Sequence, residues 1–408
     1  MAATNGQMPL SMKAGGWLWA LCLVFFLVQG DVCLGRLELT QIPPITIFLL
    51  FSVPLVACAW LRRGAFAYSA LVGCRMPLLA FAAIATLAVM GGQQNFGNES
   101  ETSKFILLPL LASFVFIVGI HAASLCENED RWRFVFSMGL CANACSILTD
   151  AFIPGTFSFL GSRAAGFGIN PNTGALLSVL LLILSLDWRQ FRGFVSSSGF
   201  VATGCLGVFL TLSRSGMLML LATLAYYYWE PLRKQTLKCA LFFVGIVAMG
   251  GLLLSDARNY LLDSVPMFAS LGSRASLFFG TGQMEDTMND ARVLLVRDFL
   301  SLISERPLFG WGTGFHVSNG RDGPHNMFLT RWVDNGVGGL IAYISLLFSL
   351  WLVNHRRGNR LGVATVLLVL INSFFSHNLL EDRAVMLALG FAVGTGVLKP
   401  RRLTLTLP

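Results

Sequence analysis

Apolar residues fill this chain in long runs, broken by short polar joints. An apolar run of about 18 residues or more is long enough to cross a bilayer as a helix. The runs predict twelve such helices, over residues 15–34, 43–61, 76–92, 104–124, 133–153, 171–187, 194–212, 214–230, 238–255, 327–353, 361–380 and 384–398. No run alternates apolar and polar positions in the manner of a half-buried strand.

The joints sort by charge. Lys and Arg collect on the cytoplasmic side of membrane proteins. Alternate joints carry Arg62, Arg63 and Arg75; Arg131 and Arg133; Arg189 and Arg192; Arg233, Lys234 and Lys238; and Arg356, Arg357 and Arg360, while the tail adds Lys399, Arg401 and Arg402. These joints, and with them both termini, are expected on the cytoplasmic side. The outer joints hold fewer cations: Arg36, Lys104, Arg163, Arg214 and Arg383. Arg163 lies in "GSRAAGFGINPNTG". Arg214 lies in "TLSRSG", where two apolar runs abut with almost no loop. A cation there needs a partner or a job.

One connection is long. Residues 256–326 are expected to form a large, partly helical outer loop between the ninth and tenth spans. Its "VPMFASLGSRASLFFGTG" is apolar enough to lie in the membrane interface. "NDARVLLVRDFLSLISERP" predicts a helix capped by Asn289 or Asp290 and stopped before Pro307. "PLFGWGTGF" predicts a glycine-rich turn leading toward His325. A loop this long is usually either disordered or functional, and its apolar, mixed composition favours function.

Composition agrees with the pattern. Only 12% of residues are charged, about half the share of a soluble domain, and mean hydropathy is +0.68. The fold class is an all-α polytopic membrane protein, with residues 1–408 as one integral membrane domain. The net charge of +8 is spread over short joints, which argues against a nucleic-acid surface. None of the nine cysteines forms a C-x-x-C pair, so they read as apolar packing residues. The run Trp17–Val28 follows Lys13 and has the look of a signal peptide. No clear cleavage site follows it, so it reads as the first span. There is no Walker sequence, no H-E-x-x-H and no G-x-G-x-x-G on a strand. No metal or cofactor is expected.

Five histidines remain. His121 and His355 fall at the cytoplasmic ends of spans, and His316 lies in the glycine-rich turn as a structural residue. His377, followed by Asn378 at an outer helix end, is a supporting candidate. His325 is best placed. Pro324 suits the first turn of a helix, which sets His325 and Asn326 at the helix mouth. Backbone N–H groups and the dipole there favour an anion and keep an imidazole neutral, as a general base requires. A lone histidine at a helix end is more often structural. Its company tips the balance: Arg163, Arg214 and Arg292 belong to the same outer face. Each alone reads as a loop cation. Together they read as a pyrophosphate clamp beside a base, because the planar guanidinium suits phosphate oxygens. Gly336 and Gly339 read as helix-packing residues.

The run His325, Asn326, nine residues, Gly336, two residues, Gly339 resembles the H-[NSQ]-x9-G-x-x-G pattern of bacterial O-antigen ligases, within the O-antigen ligase/polymerase superfamily. Arg292 followed by Pro307, Gly310 and Gly312 resembles the family's outer-loop arginine and P-x-x-G-x-G. Arg214 in "LSRSG", and Arg163, Gly166, Pro171 and Asn172, match further parts. The resemblance covers residues 160–350. It implies a metal-independent, inverting glycosyltransferase of the bacterial inner membrane. The donor would be a glycan on undecaprenyl pyrophosphate, and the acceptor a sugar hydroxyl of lipid A–core or another glycan, at the periplasmic face. Carried over, His325 is the base, Arg214 and Arg292 hold the pyrophosphate, Arg163 assists them, and Asn326 supports the base.

Three other readings compete. A polymerase of the same superfamily would join one lipid-linked repeat to another. A protein-directed oligosaccharyltransferase would carry a larger C-terminal outer domain. A lipid-linked glycan flippase or other transporter would place polar residues near span midplanes, and the runs here are mostly clean.

Overall fold

A computed structural model describes residues 10–92, 99–125, 128–159, 163–188, 194–234, 285–320 and 323–398. Among these residues the chain is helical, without a strand. The helices are α1 (Leu10–Leu27), α2 (Gly30–Arg36), α3 (Pro44–Gly73), α4 (Arg75–Gly92), α5 (Glu99–Ser124), α6 (Glu129–Phe152), α7 (Pro171–Ser185), α8 (Phe194–Thr211), α9 (Arg214–Lys234), α10 (Glu285–Glu305), α11 (Met327–His355), α12 (Arg360–Asn372) and α13 (Arg383–Leu398). Every expected span inside the described residues carries a helix. The span at 238–255 and the interfacial stretch at 265–282 lie outside them.

Among the described residues five helices are long and apolar enough to cross a membrane, and six if α1 and α2, bent by 57°, count as one span. The chain is therefore a multi-pass membrane protein. α7, α12, α13 and the Ser197–Thr211 part of α8 are shorter apolar helices. At 15 residues, α7 rises about 22 Å, less than the roughly 30 Å of a hydrocarbon core. Its residues 174–185 are all buried, so it runs through the protein interior rather than along lipid.

Three boundaries differ from expectation. α3 does not stop at the Arg62–Arg63 joint but runs on to Gly73, kinked at Arg63 (φ −146°, ψ 40°). The following "GAFAYSALVG" is mostly apolar with good helix formers, so the helix bends at the cations instead of ending. α10 begins at Glu285, upstream of the expected caps. Asn289 and Asp290 lie inside the helix rather than capping it. α12 ends at Asn372, and residues 373–382 form a loop instead of completing the span.

The bundle closes where backbones come close. A Cβ on Gly390 would run into the Phe116 carbonyl, and one on Gly119 into that of Leu387. Small residues let α5 and α13 approach as lipid-embedded helices do. Trp132 and Phe136 pack on Phe391 at 5.0 and 5.1 Å. At one end of the bundle Arg133 pairs with Asp187 at 2.5 Å, and Asn359 donates to the Ala392 carbonyl at 2.7 Å. At the other end the loops knit together. Arg36 donates to the Ser158 carbonyl at 3.2 Å, Asp31 pairs with Arg383 at 2.6 Å, and Met327 N–H donates to the Ser373 carbonyl at 2.8 Å. This second end carries the candidate chemistry.

Candidate functional site

The histidine corner is built on a broken helix. α11 loses helical geometry at Asn335 (φ −124°, ψ 16°) and Gly336 (φ 64°, ψ −163°). The second conformation is open to glycine and strained for any other residue. The break orphans the Val333 and Asp334 carbonyls, and the turn after α10 satisfies them. Trp311 N–H donates to Val333 at 2.8 Å and Gly312 N–H to Asp334 at 2.9 Å. In return, Val337 N–H donates to the Pro307 carbonyl at 2.9 Å. A Cβ on Gly336 would strike the Leu308 carbonyl. Gly336 and Gly339 are thus close-packed, but not in the manner expected. Gly336 meets the 307–312 turn, and Gly339 meets the Arg331 carbonyl and Asn335 of its own helix across the break.

Next to the break, Asp334 is 2% exposed. Its carboxylate accepts from the N–H groups of Gly314 and His316, both at 3.1 Å, and pairs with His316 Nδ1 at 2.8 Å. Buried charge is tolerated only with such partners. The His316 ring meets the edge of His377 at 5.8 Å between centroids, and His377 meets His325 at 5.0 Å. Three imidazoles thus form a row from buried Asp334 to exposed His325.

His325 has φ 47°, an uncommon left-handed conformation for a non-glycine residue. It turns the chain into α11 and leaves the ring at the surface. Asn326 is the N-cap. Its side-chain oxygen accepts from Phe328 N–H at 2.9 Å and Leu329 N–H at 3.2 Å. Pro324 therefore lies two residues before the cap, outside the helix, and two first-turn donors are already engaged by Asn326. The expected row of open N–H groups around His325 is corrected to a capped helix with the histidine just ahead of it. Asn326 fixes where the helix begins.

The arginine corner is built differently. α8 and α9 join through Leu212, itself left-handed at φ 54°. Arg163 braces this joint. Its Nε donates to the Thr211 carbonyl at 3.1 Å, and its Nη2 donates to the Leu212 carbonyl at 3.0 Å and to Asn172 at 3.4 Å. Those donors are engaged by two backbone carbonyls and the Asn172 side chain. Asn172 also accepts from Ser213 at 2.9 Å. The Ser213 hydroxyl in turn accepts from Gly216 N–H at 3.2 Å, capping α9. Arg214, the first residue of α9, is exposed beside this cap. Arg292 lies on α10, with its side chain outside the described residues.

Sequence reasoning missed three residues. Buried Asp150 ties residues 157–158 to residues 165–166, accepting from the N–H groups of Phe157, Ser158, Ala165 and Gly166 at 2.7–3.4 Å. Arg331 and Asp334 sit three residues apart within α11, Arg331 at 5% exposure, with Asp334 supplying the largest opposing charge. Two charges inside an apolar run were the available signal. Among the described residues, no group of three or more His, Cys, Asp and Glu side chains is placed to hold a metal ion.

The architecture defines a multi-pass helical membrane protein with a polar, loop-built end around a broken helix. Residues 199–344 match the family model described as O-antigen ligase. That segment runs from α8 into the second half of α11 and contains Arg214, Arg292 and His325. Arg163 and His377 lie outside it. No curated protein matches the chain.

Proposed function

We propose that this protein is a glycosyltransferase that moves a glycan from undecaprenyl pyrophosphate to a sugar hydroxyl of lipid A–core. The reaction would occur at the periplasmic face of a bacterial inner membrane. The observation that carries the reading is the exposed His325 at the mouth of the broken α11, inside the matched segment and on the same end of the bundle as Arg214. In this reading that end faces the periplasm. The basic end faces the cytoplasm with both termini, and the chain makes twelve passes with residues 256–326 as an outer loop.

The chemistry is an inverting displacement without a metal. The acceptor hydroxyl oxygen attacks the anomeric carbon, and its proton passes to the His325 imidazole. The bond from that carbon to the pyrophosphate oxygen breaks on the opposite face. Undecaprenyl pyrophosphate leaves with its charge countered by Arg214 and Arg292. A pyrophosphate leaves readily, so the protein mainly supplies orientation, a base and positive charge. Behind His325, the row of His377 and His316 ending on Asp334 holds the ring's surroundings in place.

A polymerase of the same superfamily would use the same groups with a second lipid-linked repeat as acceptor. The glycolipid profile of a deletion strain separates the two. Long glycan stranded on the lipid carrier, with none on the core, is the ligase result. Single repeats capped on the core are the polymerase result. An unchanged profile overturns both.

A further inference from the structure

A cavity of about 350 Å³ opens among α2, α3, the start of α7 and residues 378–384. The first turn of α7 lines one side with Asn170 and Thr173. The 373–382 loop lines the other with Asn378 and Glu381, immediately after His377. Phe159, with the Arg36 guanidinium 4.0 Å over its ring, adds an exposed aromatic edge, and buried Phe48 backs the wall. The loop therefore turns two faces: His377 toward His325, and Asn378 with Glu381 toward the cavity.

Some of the lining is structural. Asp31 pairs with Arg383 at 2.6 Å. Asp382 caps α13, accepting from Ala384 and Val385 N–H at 3.0 and 3.2 Å, and burial pushes its carboxyl up from the ordinary range. Other lining groups keep capacity. Asn170 spends its side-chain oxygen on capping α7, leaving its amide N–H groups. The Glu381 carboxylate and the Thr173 hydroxyl have no part in any hydrogen bond that holds the surrounding elements together.

This lining has a clear chemical preference. A sugar ring offers an apolar C–H face and a rim of hydroxyls that both donate and accept. Aromatic walls suit the face, and a carboxylate, an amide and a hydroxyl suit the rim. The cavity holds three carboxyl groups, Asp31, Glu381 and Asp382, against one guanidinium, Arg383. Asp31 is engaged with Arg383 and burial favours the neutral form of Asp382, so the charge left facing the cavity is the Glu381 carboxylate, which disfavours a bound phosphate. The volume falls in the range of small-molecule sites.

We propose that this cavity is a saccharide subsite, taking an uncharged sugar ring of the acceptor glycan. The acceptor role rests on the transferase reading; the sugar binding does not. The test uses the full chain in lipid nanodiscs, with saturation-transfer NMR to methyl β-glucoside, methyl β-galactoside, methyl β-mannoside and glucose 6-phosphate. At least one neutral glycoside is expected to bind, and the phosphate to bind more weakly than every glycoside that does. Thr173→Phe fills the cavity and should abolish the signal. Glu381→Ala removes a charged hydrogen-bond partner and should weaken binding roughly tenfold. If Thr173→Phe fails to accumulate, Glu381→Ala decides the matter. Absence of signal for all three glycosides, preference for the phosphate, or unchanged binding in the cavity variants overturns the proposal. Sugar binding as expected in a protein that transfers nothing would overturn the transferase reading and leave the subsite standing.

Discussion

The arginine corner and the histidine corner sit at the same end of one bundle and use their polar groups in opposite ways. At the arginine corner, a side chain satisfies backbone: the Arg163 guanidinium closes the carbonyls of Thr211 and Leu212 where α8 gives way to α9. At the histidine corner, backbone satisfies backbone. The N–H groups of Trp311 and Gly312 close the carbonyls exposed by the break in α11. The first arrangement consumes a cation. The second consumes none, so Asp334 can hold His316 and the ring row can extend to His325 at the surface. Cations on one face of a membrane protein are therefore not equivalent. Arg163 holds a joint, whereas Arg214, one residue beyond the Ser213 cap, stands exposed.

That contrast can be broken at several points. The largest stability loss is expected for Gly336→Ala, because the added Cβ meets the Leu308 carbonyl in a glycine-only conformation. A loss of about 3 kcal/mol or more should appear as a lower melting temperature in detergent. A melting temperature equal to wild type would mean that the break does not need glycine. Asp334→Ala comes next. It strips three hydrogen bonds from the 314–316 turn and should cost about 3 kcal/mol, with the turn becoming protease-sensitive. Resistance equal to wild type would show the turn to be held by something else.

The sharper comparison sets two arginines side by side. Arg163→Ala should lower stability by about 1–2 kcal/mol while activity per folded molecule stays near wild type. Arg214→Lys should do the reverse. Its melting temperature should hold, and transfer should fall about tenfold, because an ammonium cannot grip a phosphate with two parallel hydrogen bonds. Finding both variants impaired in the same quantity would erase the distinction between brace and ligand.

Much of this was legible from hydropathy and charge. The apolar runs locate the helices because lipid-facing and buried segments alike must be apolar and internally hydrogen-bonded. The short motif at His325 marks the end that carries the candidate site. Other features left weaker traces. A break at Gly336 depends on one residue's φ and ψ, and a glycine in an apolar run reads equally as packing. Arg163 finds its partners in carbonyls 48 and 49 residues away, and carbonyls carry no sequence signal. Asp334 did leave one: a carboxylate three residues after an arginine inside a span is costly unless it has work to do. Its work, holding His316 against a turn that folds back from α10, exists only once the break has formed. α3 passes its two arginines because helix propensity there outlasts the membrane-crossing length.

The most direct measurement of the central claim is transfer by the purified chain in proteoliposomes, given undecaprenyl-pyrophosphate-linked glycan and lipid A–core, with His325→Ala beside the wild type. Loss of general-base catalysis should slow transfer about 10²–10⁴-fold, with unchanged melting temperature and unchanged binding of the lipid-linked donor. Transfer by the variant at the wild-type rate would contradict the assignment of His325 as the base.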